Sequence, residues 1–492
     1  MKKYTIYIVF AALLLGWACT GVVPGTCPPC PICPPTDTTV VVVDTSRSFG
    51  LIIGSNSNHY QPKDRQTAMQ GIRLYYPLHW AYTSKGWYGQ PMLQAQKQFL
   101  GLDDYLQHMN NKGVDVVLCL MQSPDWMNGQ SNGTGGNDFP PIRAGLDRTD
   151  PKSYAEVAAI YRAFAIRYGP KTYPPGSYPL DPAGPRWNGD AGQEYKSGLN
   201  LVKYIEIGNE PDRWWDKGTP KYMNAEEYAA MLTACYEAIK GTGMGAVMAG
   251  LTNNDIPYLK AMQAKFTSLG KPFLSDAISI HHYSSYGNLP GIHPPTWRTN
   301  EAAPPEFDKD FATISEVVAW AKIINKPVWM GEYGYDTQPG SQMYPTPFGG
   351  KTSEQIQSEW LPRATLEYIR LGVERAYLFN MADEPNPNSG TFSSSGILYG
   401  EPAGYAPKPS FAAMAGLCEL LKGAKYIGDR STPTIRIMEF AKSGKIIFAY
   451  WLPTADSRVI QGAVAGKNVS VTETPQYLVS GVLSTVKMQM VK

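Results

Sequence analysis

The stretch Tyr204–Trp215 reads YIEIGNEPDRWW. A short apolar run ends in an Asn–Glu pair, Asn209 and Glu210, and Pro211 follows at once. A carboxylate set where a strand should stop is costly to bury and needs a reason. The neighbouring sequence supplies one. From Ser48 onward, short apolar runs alternate with longer helical patterns, the signature of βα units around a parallel sheet. Eight such runs can be counted: FGLIIGSN (49–56), GIRLYY (71–76), VDVVLCLMQ (114–122), VKYIEIGNE (202–210), GAVMAGLT (245–252), DAISIHHYS (276–284), KPVWMGEYG (326–334) and ERAYLFNMA (374–382). The opening stretch closes the fourth.

Between the runs lie amphipathic segments. Residues 153–169, 225–241 and 311–325 repeat apolar residues at three- and four-residue steps, as surface helices do. Eight strands with crossover helices predict a (β/α)8 barrel over residues 48–422, with its chemistry at the C-terminal ends of the strands. An open doubly wound sheet is the rival, but no Gly-rich phosphate fingerprint follows the first run. Long Gly-, Asn- and Pro-rich insertions, such as 127–151, fall where they would shape a cleft. After about Gly423 the texture changes to short alternating strands (TIRIMEFAK, KIIFAYWLP, NVSVTE, PQYLVSG), so residues 423–492 predict a small antiparallel, sandwich-like β domain. The run Val40–Val43 is a candidate extra strand for it.

The N-terminus is read as an address rather than as fold. Lys2 and Lys3 precede an apolar run to Ala18, a signal-peptide layout over residues 1–18. Ala18 before Cys19 resembles the lipobox of bacterial lipoproteins, although Gly16 stands where that motif prefers Leu. The resemblance implies export and a lipid on Cys19, the one membrane link expected; simple secretion is the alternative. Residues 19–47 then form a Pro-rich extended spacer. Its Cys27, Cys30 and Cys33 lack a fourth ligand at metal spacing, so disulfides are the expectation in an oxidising compartment. Cys119, Cys235 and Cys418 lie in apolar contexts and read as buried thiols.

The 492 residues carry 44 Lys+Arg against 42 Asp+Glu, a net charge of +2, which argues against nucleic acid as a partner. The 31 Tyr and 12 Trp are a rich aromatic supply, much of it required by the core, and sugar clefts also use such rings.

In a closed barrel, Glu210 at the end of run four and Glu332 at the end of run seven face one another across the mouth. Two carboxyls so placed can cut a glycosidic bond. GNEP and GEYG at these two ends resemble the retaining glycoside hydrolases of clan A, over roughly residues 48–420. The resemblance implies Glu210 as acid/base, Glu332 as nucleophile and Asn209 as a donor to the sugar 2-hydroxyl. It also implies Arg73 in GIRLYY, and His281 and Tyr283 in SIHHY, as cleft residues. Alternation puts Ser279, His281 and Tyr283 on one face. Arg73 would lower the pKa of Glu332, whose charge would raise that of Glu210 until esterification removes it. Trp126, Trp214 and Trp215 sit in loops after strands three and four and are candidate sugar platforms; His59, His79 and Trp80 are candidates near the mouth. Where many clan members carry a Trp at the end of strand eight, this chain has Phe379 and Asn380, so another ring must fill that role or the sugar sits differently. Trp329, out of phase with Glu332, is expected to face the helices.

Two other classes remain. A non-catalytic carbohydrate-binding surface lipoprotein would need the aromatics but not both acids. A metal-dependent barrel hydrolase would need a clustered His–carboxylate set, and adjacent His281 and His282 point to opposite faces. The reading that follows is a retaining β-glycosidase, endo-acting on a polysaccharide or oligosaccharide, without metal or cofactor.

Overall fold

The computed structural model describes residues 51–87, 101–131, 133, 135–181, 194–252, 254–286, 302–308, 310–388 and 390–480. The signal-like segment, Cys19, the spacer with Cys27, Cys30 and Cys33, and Val40–Val43 lie outside the described residues. Among the described residues, no helix is long and apolar enough to cross a membrane.

Each of the eight runs contains a strand: β1 (Ile52–Ser57), β2 (Gly71–Pro77), β3 (Asp115–Met121), β4 (Tyr204–Ile207), β5 (Gly245–Met248), β6 (Ile278–His281), β7 (Val328–Tyr333) and β8 (Val373–Leu378). They form one parallel sheet in the order β6–β7–β8–β1–β2–β3–β4–β5. A parallel bridge between Leu251 and Ile280 closes the seam between β5 and β6. There the His281 amide donates to Leu251 O at 2.8 Å. The sheet is therefore a barrel.

Among the described residues, seven helices of ten residues or more surround it: α1 (Leu102–Asn111), α2 (Ala155–Tyr168), α3 (Ala225–Ile239), α4 (Ile256–Ser268), α5 (Phe311–Ile323), α6 (Ser353–Leu371) and α7 (Pro409–Leu421). The longest start at strong signals. Asn224 with Glu227, and Thr352 with Gln355, form capping boxes that satisfy the first amides of α3 and α6.

Strand alternation sorts the side chains into two layers. On β2, Ile72, Leu74 and Tyr76 join the core under the helices, while Arg73 and Tyr75 point into the barrel. Val117, Val247, Ala277, Trp329 and Tyr377 pack as a separate cluster that plugs the barrel interior.

Trp329 corrects the expectation that it would face the helices. Its ring centroid lies 5.0 Å from that of Tyr204 on β4, and the Arg375 guanidinium stacks 4.4 Å above it. The cause is a break in period: β7 shifts register against β8 between Met330 and Tyr333. The extra residue lets Trp329 and Glu332, three apart, both point inward.

Among its described residues, the C-terminal part holds six strands: β9 (Lys425–Asp429), β10 (Arg436–Lys442), β11 (Lys445–Trp451), β12 (Ile460–Val464), β13 (Lys467–Val471) and β14 (Gln476–Ser480). They build a four-stranded antiparallel sheet, β9–β10–β11–β14, and a β12–β13 ribbon. One face of the sheet (Met438, Phe440, Ile447, Ala449, Trp451) joins the barrel's core. The other (Ile437, Phe448, Tyr450) packs on Val464 and Val471 of the ribbon. Strands β9 and β12 were not among the four runs read from sequence; each is five residues long and interrupted by a Gly.

Candidate active site

The inward layer above the apolar plug is ionic. Arg73, on β2, is 1% exposed. Its Nε bonds Glu206 Oε2 on β4 at 2.5 Å, and its Nη2 bonds Glu206 Oε1 at 3.1 Å. Glu206 also accepts from the Gly250 amide at 2.8 Å and from Ser279 Oγ at 3.2 Å. A buried acid so satisfied holds the guanidinium in place. The remaining Arg73 donors reach Asn56 Oδ1 at 2.9 Å, Asn209 Oδ1 at 2.7 Å and Glu332 Oε1 at 3.1 Å.

Glu332 sits on this base. Besides Arg73, it accepts from Tyr283 OH at 2.8 Å and closely from Tyr75 OH. His281 Nδ1 lies 3.4 Å from its Oε1. Burial pushes the Glu332 carboxyl up, but the charges of His281 and Arg73 and the two tyrosine hydrogen bonds outweigh burial and hold it below the usual carboxylate range.

Glu210 follows β4 with φ 48°, in the left-handed region that few non-glycine residues adopt. Its amide donates to Gly250 O at 3.1 Å, and its carboxyl meets His281 Nδ1 at 2.8 Å. Burial lowers the His281 pKa, but the Glu332 charge, the hydrogen bond its Nδ1 donates to Glu210 and the Glu210 charge raise it overall above the ordinary value. The imidazole has room only because its neighbours lack side chains. A Cβ on Gly250 would stand 2.0 Å from His281 Nε2, and one on Gly331 3.0 Å from it.

One ligand atom each from Glu210, His281 and Glu332 all lie within 4.8 Å of one another. That is the carboxylate–His cluster a metal site would need, and the sequence reading did not foresee it. The residues do not fit a cation well. Arg73 holds a fixed positive charge 3.1 Å from Glu332 Oε1, and two hydroxyls already donate to that carboxylate.

Above the pair opens a cavity of about 950 Å3. Asn209, Tyr283, Trp214 and Asn380 line it, as do Trp80 and Trp215. Phe379 and Phe392 stand where a Trp was missing, with rings 5.4 Å apart; Phe392 also packs 4.8 Å from Tyr283. The Phe379–Asn380 peptide bond is cis.

By sequence, the chain matches no protein-family model and no curated protein. Its structure does find relatives. The fold is shared with solved glycoside hydrolases. A family 39 glycoside hydrolase from the gut symbiont Bacteroides cellulosilyticus WH2 aligns over 87% of this chain and 81% of its own, at 16% identity and a TM-score of 0.57. An endo-β1,6-glucanase aligns over 87% and 90%, at 13% identity and 0.52. SrfJ from Salmonella typhimurium aligns over 88% and 90%, at 12% identity and 0.54. At these identities the likeness is one of fold.

The structure brings together Glu210, Glu332, Asn209, Arg73, His281 and Tyr283, with Asn380 and Trp214 on the cavity wall. Trp126 does not line that cavity. Its ring is half-buried against the core and stacks 5.4 Å under the Arg143 guanidinium, and Arg143 Nη1 donates to its carbonyl at 2.8 Å. His59 is buried behind Trp80, and burial pushes its pKa down to about 3, so it is neutral. His79 lies beside Trp80, ring centroids 6.2 Å apart. Sequence reasoning missed Tyr75, Glu206 and Asn56. The signal was present for two of them: Tyr75 is two residues from Arg73, and Glu206 is an acid at an inward position of an apolar strand.

Proposed function

We propose that this chain is a retaining glycoside hydrolase that cleaves β-glycosidic bonds of a polysaccharide or oligosaccharide by double displacement. The observation that carries the reading is the approach of the Glu210 and Glu332 carboxyls to within 4.8 Å. Retaining enzymes set their carboxyls about 5–5.5 Å apart, whereas inverting ones leave about 6.5–9.5 Å for a water.

Glu332, held ionised, attacks the anomeric carbon while Glu210 gives its proton to the departing oxygen. A glycosyl ester forms on Glu332. Glu210 then takes a proton from water, which attacks the same carbon and frees the sugar with its configuration kept. Exposure supports these roles. The Glu210 side chain is 18% exposed and can exchange protons with solvent, while that of Glu332 is 7% exposed. Because Arg73 occupies Asn209 Oδ1, the amide Nδ2 is free to face the cleft and donate to the 2-hydroxyl, a contact that tightens at the transition state.

A cleft with Trp80, Trp214 and Trp215 on its wall supports binding along a chain, hence endo action. Export, with a lipid on Cys19, and a division of the chain near residue 423 into catalytic and accessory parts complete the proposal. The test is a polysaccharide panel with product mass and time-resolved anomeric NMR. Initial release of the β-anomer from a β-linked chain is the expected result. An α-anomer would sink the retaining mechanism, and tight binding without turnover would favour the carbohydrate-binding alternative.

A further inference from the structure

We infer that the cleft takes an uncharged glycan chain, built of neutral hexose or pentose units, and rejects chains that carry uronate or sulfate groups. The inference rests on the glycosidase reading and adds the chemical class of its sugar.

Among the described residues that line the 950 Å3 cavity there is no Lys and no Arg. Its acidic lining residues are Glu210, Glu332, Asp255, Asp310 and Glu316, and His281 and His282 lie among them. Two of the acids are the reacting pair. The other three share the wall with Trp214 and Trp215. Asp255 caps α4, accepting from the Tyr258 amide at 3.0 Å. Asp310 stands beside Asp308, and burial and the Asp308 charge push its pKa up to about 6. Glu316 projects from α5 into solvent.

The nearby guanidinium and ammonium groups are directed elsewhere. Arg73 is sealed beneath the carboxylates, with Glu206, Asn56, Asn209 and Glu332 as its partners. Arg213 and Lys221 line a separate cavity of about 60 Å3 behind Glu210. Arg213 Nη1 lies 3.8 Å from Asp138 and 3.6 Å from Asp216, and Lys221 Nζ sits 5.5 Å over the Phe139 ring.

An anionic sugar entering the main cleft would lose hydration, find no Lys or Arg among the described lining residues, meet a His281 already held between Glu210 and Glu332, and face acids of its own sign. A neutral sugar needs only ring faces and amide dipoles. The wall supplies both: Trp80, Trp214 and Phe379 among the rings, and Asn58, Gln122 and Asn254 among the amides.

The experiment gives the full-length protein a panel of neutral β-glycans, β-linked uronate polymers, the same polymers after carboxyl reduction, and chitosan beside its N-acetylated form. Reducing-end release is measured at low and high salt. Turnover of a neutral chain and of no charged chain supports the inference. So does a carboxyl-reduced polymer cleaved at least about tenfold faster than its acidic parent, with the gap narrowing as salt screens the repulsion. The double variant Asp255→Asn, Glu316→Gln should narrow the same gap at low salt. An acidic polymer cleaved as fast as its reduced form overturns the inference and leaves the glycosidase reading standing, as does a preference for the free amine over the N-acetylated chain. A panel with no turnover at all defeats both.

Discussion

Glu332 depends on four side chains from two other strands and their ends, and its chemistry can be tested one group at a time. Its ionised form is favoured by His281, Arg73, Tyr75 and Tyr283 against the opposing effect of burial. A carboxyl whose folded pKa is depressed adds stability above its unfolded pKa and loses it as pH falls through the folded value. Activity should follow the same carboxyl on its acid limb. Tyr75→Phe removes one donor, so the acid limb of kcat/KM should move up by about one pH unit; a pH profile checks this. Glu332→Ala should lower kcat on the order of 10^4-fold, and azide should partly restore turnover and give the α-azide from a β-substrate. Glu210→Ala should spare substrates with good leaving groups far more than poor ones. Unchanged rates for either variant would refute the pair.

Asp212 makes a separate prediction at this scale. It is buried, accepts from the Thr252 amide at 2.9 Å and from Thr252 Oγ1 at 3.1 Å, and burial above all pushes its pKa up to about 7. An Asp with a raised folded pKa binds its proton more tightly when folded, so it erodes stability as pH rises from its unfolded value towards 7. Asp212→Asn should therefore raise Tm at pH 8 relative to the parent and do so less at pH 5. The difference should be on the order of 2 kcal/mol. Equal shifts at both pH values would rule this out.

At the scale of elements, the site is built where β6 and β7 depart from regularity. The β7 register shift turns Glu332 inward beside Trp329's side of the strand, and Gly250 and Gly331 clear a slot for His281. A Cβ at Gly250 would stand 2.0, 2.4 and 2.9 Å from the His281 ring atoms Nε2, Cδ2 and Cε1. Gly250→Ala should displace the imidazole and lower kcat/KM by roughly 100-fold, with a stability cost of about 1–3 kcal/mol. Kinetics and thermal unfolding measured on one preparation separate the two effects. The eight strands themselves were legible, because each is an apolar run that a parallel sheet covered on both faces requires. The bulge was not legible. Its only trace in sequence is Gly331 before Glu332, and pairing partners on β6 and β8 decide whether an extra residue is accommodated there.

For the whole molecule, the C-terminal sheet and the barrel share one core. Glu306, before α5, accepts from Arg363 Nε of α6 at 3.0 Å and from Trp451 Nε1 of β11 at 2.5 Å. Arg363 Nη1 also reaches Thr454 O at 3.0 Å. Removing one member of such a buried set strands the others. Glu306→Ala should cost about 3–5 kcal/mol, seen as a lower midpoint in a single cooperative denaturant transition. Two separated transitions in the parent protein would show that barrel and sheet fold independently.

Sequence alone determined the barrel, the strand ends that carry Glu210 and Glu332, and the face that His281 shares with Ser279 and Tyr283. Apolar period and chain order are local properties, and alternation converts them into faces. Only the tertiary structure decided that Trp329 turns into the barrel and that Trp126 packs under Arg143 away from the cleft. It alone decided that Glu206 and Tyr75 hold the reacting groups, and that Phe379 and Phe392 form the wall where a Trp was missing. Those outcomes depend on contacts between residues tens to hundreds of positions apart, and closure of the sheet creates such contacts without leaving a mark in any one stretch of chain.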